Sequence, residues 1–135
     1  DEPSMDNSGK PWNVVFGHHP LYSQGSHGHT DLVQQFIWNE LFEQKVDFYL
    51  SGHDHHLNAL RKGDSGPYYL VSGAGGAHYR DRKDIEDFST SNAESLFVHR
   101  NNGFLWMEIH EASAKFRFYD KAGELLYEKQ LEQQD

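Results

Sequence analysis

The chain has 135 residues, 36% of them hydrophobic and 14% aromatic, with 21 acidic against 12 basic side chains and a formal net charge of −9. This length allows one domain with a real core, while the acidic balance argues against broad electrostatic binding to nucleic acid or anionic lipid, which needs a basic surface to displace counterions. Without cysteine there is no disulfide framework and no thiolate metal site, so any metal must be held through nitrogen and oxygen.

Taken in chain order, residues 1–11 are polar and rich in turn formers and read as a linker or loop, with the ordered part over 12–135. Asp1-Glu2-Pro3-Ser4 has neither the basic start nor the apolar core of a secretory signal, and no run is apolar enough for a membrane helix. Trp12 to Phe16 reads as a buried strand that ends in the turn Gly17-His18-His19-Pro20. A Ser-, Gly- and His-bearing loop follows, and Thr30 or Asp31 is placed to cap a helix. In that helix Val33, Phe36, Ile37 and Leu41 recur at helical spacing, so this stripe is expected in the core.

A second apolar run, Val46 to Leu50, ends in another turn of the same kind, Gly52-His53-Asp54-His55-His56. Strand, helix and strand together predict a right-handed parallel β-α-β unit. Both turns would then emerge at the carboxyl edge of one sheet, where α/β proteins build their sites. Leu57 to Arg61 and Tyr68 to Ser72 read as strands joined by a Gly- and Pro-bearing loop or hairpin. Gly73-Ala74-Gly75-Gly76 follows; its glycines are read either as a simple loop or as a place where backbone approaches the site. Ala77 to Asn102 shows no period and reads as a long loop. Phe104 to His110, Lys115 to Tyr119 and Leu125 to Gln130 predict a terminal antiparallel meander.

The chemistry concentrates at the two turns. His18 and His53 are expected side by side, and His55, two residues beyond His53, can chelate the same ion or face a second one. Imidazoles without thiolate suit zinc, iron, manganese or a similar ion, with carboxylates completing the shell. His19 and His56 neighbour these residues, but successive side chains diverge, so they are read as facing solvent or as supporting groups. Asp54 has two readings: an acceptor that orients a ligand imidazole, or a turn aspartate bonded to its own backbone.

Gly17-His18-His19-Pro20-Leu21-Tyr22-Ser23 and Gly52-His53-Asp54-His55 resemble the last two signature blocks of the calcineurin-like metallophosphoesterases, and among these the small, tartrate-resistant type of purple acid phosphatase. The turn Ser72-Gly73-Ala74-Gly75, the Gly103-Phe104 pair and the Ala122-Gly123 hairpin extend the resemblance over nearly the whole chain after Pro11. It implies an α/β fold: the carboxyl-terminal half of a metallophosphoesterase β-sandwich, flanked by helices and ending in the β meander. It also implies a dinuclear centre of two metal ions, iron paired with zinc, manganese or iron. His18 and His53 match ligands of the second metal, and His55 matches a ligand of the first. His27 matches a histidine that contacts substrate and helps to protonate the leaving alkoxide.

The implied reaction is hydrolysis of a phosphoric monoester, with a metal-bound hydroxide attacking phosphorus. The alternatives are a phosphodiesterase of the same superfamily and a non-catalytic metal-binding or structural half-domain. The superfamily's upstream Asp-x-His, Gly-Asp and Gly-Asn-His blocks have no counterpart in the residues ahead of Gly17. The implied partners are therefore a phosphate-ester substrate and the upstream half of the same protein, or a second copy, set against the apolar sheet faces that half a sandwich leaves open; neither nucleic acid nor a membrane is expected. Family habit implies an extracytoplasmic or secreted location.

Overall fold

A computed structural model describes residues 10–28, 36, 38, 46–64, 66–79 and 93–133. Among these, β1 (Val14–Phe16), β2 (Phe48–Ser51), β3 (Leu57–Lys62), β4 (Tyr68–Ser72) and β5 (Ala93–His99) form a five-stranded sheet in the order β1-β2-β4-β3-β5. β1, β2 and β4 run parallel, and β3 lies antiparallel between β4 and β5. A second sheet holds β6 (Gly103–Ile109), β7 (Ser113–Asp120) and β8 (Leu125–Glu132) as the expected antiparallel meander. The parallel pairing of β1 with β2, and the hairpin of β3 with β4, also follow the sequence reading.

Strand alternation sorts the apolar residues of the larger sheet onto two faces. Phe48, Leu57, Ala59, Tyr68 and Leu70 meet Ala114, Phe116 and Phe118 of β7, so that the two sheets share one core. Tyr49, Leu60 and Tyr69 cover the opposite face with Leu21, Tyr22 and Ala93. Buried on both sides, β2 and β4 carry the near-continuous apolar runs FYL and YYLV that parallel interior strands require. Phe116 and Phe118 are fully buried, and each contributes roughly 2–3 kcal/mol by leaving water. Trp12 lies ahead of β1; its ring packs on Phe48 at 5.7 Å and its indole N–H donates to the His110 carbonyl at 3.0 Å, tying the start of the larger sheet to the smaller one.

Two expectations need correction. Ala77 to Asn102 is not a loop throughout, because Ala93–His99 forms β5 against β3. Its register slips between Ala59 and Leu60 of β3, a bulge that breaks the two-residue alternation by which strands are read. Most of the helix expected between β1 and β2, with its capping residues, lies outside the described residues; Phe36 and Trp38 are both helical. Phe36, expected in the core, is 67% exposed, whereas Trp38 packs against the cluster around Tyr49. Two helical residues lie about 200° apart around the axis, so a helix that turns Trp38 to the sheet turns Phe36 away.

At the far end, the Asp120 carboxylate accepts the Ala122 and Glu124 backbone N–H groups at 2.8 and 2.9 Å, and Gly123 takes a φ of 84°, closing the β7–β8 turn. On the outer face of this sheet Arg117 bonds both Glu108 and Glu128, and holds both carboxyls below the usual carboxylate range. Among the described residues no helix is long and apolar enough to cross a membrane.

Candidate metal centre

The parallel pairing of Phe16 with Leu50 brings β1 and β2 to an end side by side, and backbone bonds then join the turns that follow. The Gly17 N–H donates to the Leu50 carbonyl at 2.9 Å, and the Gly52 N–H donates to the His18 carbonyl at 3.1 Å. Tyr49 passes beneath: its hydroxyl donates to the His19 carbonyl at 2.9 Å, and a Cβ on Gly17 would stand 2.0 Å from the Tyr49 hydroxyl oxygen. Glycine is what lets the first turn lie so close to the second strand. His53 has a φ of 64° and is the one non-glycine residue with positive φ among the described residues. The second turn thus holds an imidazole-bearing residue in a backbone conformation that L residues disfavour.

These turns bring His18 and His53 together as anticipated, with His18 Nε2 3.2 Å from His53 Nδ1. Two nitrogens bound to one tetrahedral zinc-like ion at about 2.0–2.1 Å would lie about 3.3 Å apart. His19 joins them, so that one ring nitrogen from each of the three lies within 4.8 Å of the others. The expectation that His18 and His19 diverge fails because they sit in a bend rather than a strand; their ring centroids are 4.7 Å apart. His55 is not in this cluster, and its Nδ1 lies 3.3 Å from the His78 carbonyl. Burial and the neighbouring His27 and His19 hold His53 below the usual histidine range, which keeps it in the neutral form that binds metal. Three exposed or half-exposed imidazoles, one with a depressed pKa, fit a borderline transition-metal ion.

His27 lies beside the cluster, its ring centroid 4.1 Å from that of His53. Its Nδ1 bonds Oδ1 of Asp54, which also accepts the His27 backbone N–H at 3.1 Å. Neither reading of Asp54 describes this contact: its carboxylate meets the imidazole of His27, which is not one of the expected ligands. Beneath lies a buried polar layer. Asn58 Oδ1 accepts the Gln24 N–H at 2.9 Å, and Asn58 Nδ2 donates to the Phe97 carbonyl at 2.7 Å and to Gln24 Oε1 at 3.1 Å.

His56, read from sequence as facing solvent or supporting a ligand, is fully buried in this layer, because β3 begins directly after it. Its Nε2 lies 3.3 Å from Asn58 Oδ1, and its Nδ1 has no partner among the described residues. Burial holds the His56 pKa below its ordinary value, outweighing the nearby Asp54 and Asn58, which favour the charged ring. Unfolded, this histidine would take up a proton below about pH 6.5; folded, it resists. Its contribution to stability is therefore intact above that pH and falls as the pH drops below it, by at most about 1.4 kcal/mol per pH unit. Urea midpoints at pH 7.5 and 5.5 should show a larger loss in the wild type than in His56→Gln; equal losses would contradict this assignment.

The chain thus pairs two sheets that share one core with a cluster of histidines at adjoining parallel-strand ends. Residues 1–57 match the family model described as calcineurin-like phosphoesterase. Purple acid phosphatase 17 of Arabidopsis thaliana is 34% identical over 126 residues, covering 93% of this chain and 37% of its own length. The tartrate-resistant acid phosphatase type 5 of Sus scrofa is 28% identical over 120 residues, covering 87% and 35%. Among solved structures, GAP50, described as the anchor in the inner membrane complex of Plasmodium, aligns with a TM-score of 0.68 at 24% identity, covering 92% of this chain and 37% of its own. The purple acid phosphatase PPD1 from yellow lupin seeds aligns at 0.66 and 20%, covering 90% and 25%. The resemblance to calcineurin-like phosphoesterases holds, and the homologues of this chain over most of its length are purple acid phosphatases, the tartrate-resistant type included. The chain spans about a third of the length of these curated relatives.

Proposed function

We propose that this chain supplies part of the metal site and the proton-donating histidine of a phosphoric monoester hydrolase. The observation that carries the reading is the approach of His18 Nε2 to His53 Nδ1 at 3.2 Å, with His19 and His27 beside them. His18, His53 and His19 are the residues that would hold an ion here, and His55, outside this cluster beside the His78 carbonyl, would serve a second. A bound ion would draw charge from the phosphate oxygens and lower the pKa of a water. His27 stands where a leaving alkoxide needs a proton: its Nε2–H bond would break as the O–H bond of the alcohol forms, leaving the ring neutral.

The remaining ligands belong, in this proposal, to the upstream half of the same protein, which would also cover exposed apolar residues such as Phe16 on edge strand β1. Iron paired with zinc, manganese or iron, and an extracytoplasmic or secreted setting, are carried over from the family resemblance as parts of the same reading. Fold alone does not decide catalysis, since a comparable fold serves a protein described as an anchor. The test is phosphate release from an aryl phosphate monoester and from the matching diester, by the protein with its upstream half supplied and metal loaded. Faster monoester turnover is expected. Faster diester turnover would make the protein a phosphodiesterase, and none on either would leave a non-catalytic half-domain.

A further inference from the structure

We propose that Asp54 is a positioning residue for His27, and that the loop from Ser23 to His27 is folded around its carboxylate to keep a proton on His27 Nδ1 and leave Nε2 to serve the substrate. The inference rests on the reading of His27 as proton donor. Every second residue of the loop meets the carboxylate. The Ser23 hydroxyl donates to Oδ2, and the same hydroxyl oxygen accepts the Gly25 N–H at 2.9 Å. A Cβ on Gly25 would stand 2.4 Å from Oδ2 and 2.5 Å from Cγ, so backbone is pressed against the acid there. His27 then meets Oδ1 twice, its backbone N–H donating at 3.1 Å and its Nδ1 in contact with the same oxygen.

Asp54 itself is fixed. It is fully buried; its N–H donates to the Gly52 carbonyl at 2.7 Å, and its own carbonyl accepts the His56 N–H at 2.8 Å. A buried carboxylate is expensive unless every lone pair is used, and here both oxygens are occupied by the loop that bears His27. A loop needing only closure would be served by the Ser23 and backbone bonds. The additional bond to Nδ1 selects one tautomer, because the nitrogen facing an acceptor keeps the proton. His27 is more than half exposed on its other side, so Nε2 is the nitrogen left to exchange a proton with an alcohol. During that exchange the Nδ1–H bond to Asp54 is retained.

The experiment is a long-range proton–nitrogen spectrum of the imidazoles of the full 135-residue chain at pH 8. His27 is expected to carry its proton on Nδ1, and Asp54→Ala to move it to Nε2 as in a free histidine side chain. Should Asp54→Ala fail to fold, Gly25→Ala, which displaces the loop from the carboxylate without removing a charge, should produce the same move. In the protein with its upstream half, Asp54→Asn should lower kcat for an aryl phosphate about 10- to 100-fold with little change in KM. A wild-type proton on Nε2, or one that stays on Nδ1 in the folded variants, would overturn the inference. Absence of phosphatase activity in the wild type would instead overturn the functional reading, and the spectrum would still decide the role of Asp54.

Discussion

Replacing His53 by glycine is expected to abolish metal binding and, at the same time, to make the metal-free chain more stable. His53 adopts a φ of 64°, a conformation that costs an L residue about 1 kcal/mol and that glycine adopts freely. Strain of this kind persists where the surrounding structure and the function require it. Here it turns His53 Nδ1 to within 3.2 Å of His18 Nε2. The wild type should therefore gain about 2.7 kcal/mol from an ion present at a hundred times its Kd, while His53→Gly gains nothing from metal and up to about 1 kcal/mol without it. His53→Ala separates the two effects, losing the metal response without relieving the strain. Thermal unfolding of the three proteins with and without zinc measures all of this. A metal-induced rise in Tm that survives in His53→Gly would mean that the cluster is not the binding site.

The second large effect is expected at Gly73, where β4 gives way to the Gly-rich turn. A Cβ at this position would stand 2.0 Å from the Asp54 carbonyl oxygen, 2.8 Å from its carbon and 3.4 Å from the Gly52 carbonyl carbon. All of these are backbone atoms of the turn that carries His53, so no side chain can swing aside. The Gly73 N–H also donates to the His56 carbonyl at 3.2 Å, which holds the strand against that turn. Gly73→Ala should destabilise the chain by roughly 3 kcal/mol, at the upper end of what forced overpacking usually costs, and should weaken metal binding because the turn must shift. Gly75→Ala is the matched control: a Cβ there meets nothing within 4 Å, and the effect should stay within about 0.5 kcal/mol. Urea midpoints that fall equally in the two variants would show that the approach of β4 to the turn is not tight.

The sequence discloses those parts of the site that follow from period and punctuation. β1 and β2 are apolar runs ended by glycine, so their parallel pairing and the meeting of His18 with His53 could be anticipated. β5 could not, because its pairing with β3 carries a bulge and its alternation is broken. The helix stripe puts Phe36 on the wrong face, since apolar spacing alone does not say which of two faces meets the sheet. His19 escapes a sequence reading because successive side chains diverge in a strand but not in a bend. The role of Asp54 depends on a loop returning to it from nearly thirty residues away, an arrangement that local reading cannot supply. The alternation of Ser23, Gly25 and His27 was the signal for it, visible only once the carboxylate they surround is known. His56 lacked even that, because its burial is set by β3, Asn58 and the strands around them.

The central claim is that the imidazole cluster formed by the two glycine-histidine turns is a metal site. Metal content per chain, measured by mass spectrometry on protein purified without an affinity tag, tests it most directly. The account predicts at least one bound transition-metal ion per chain, lost in His53→Gly. A wild-type chain that emerges free of metal, and stays so after dialysis against zinc, would contradict it.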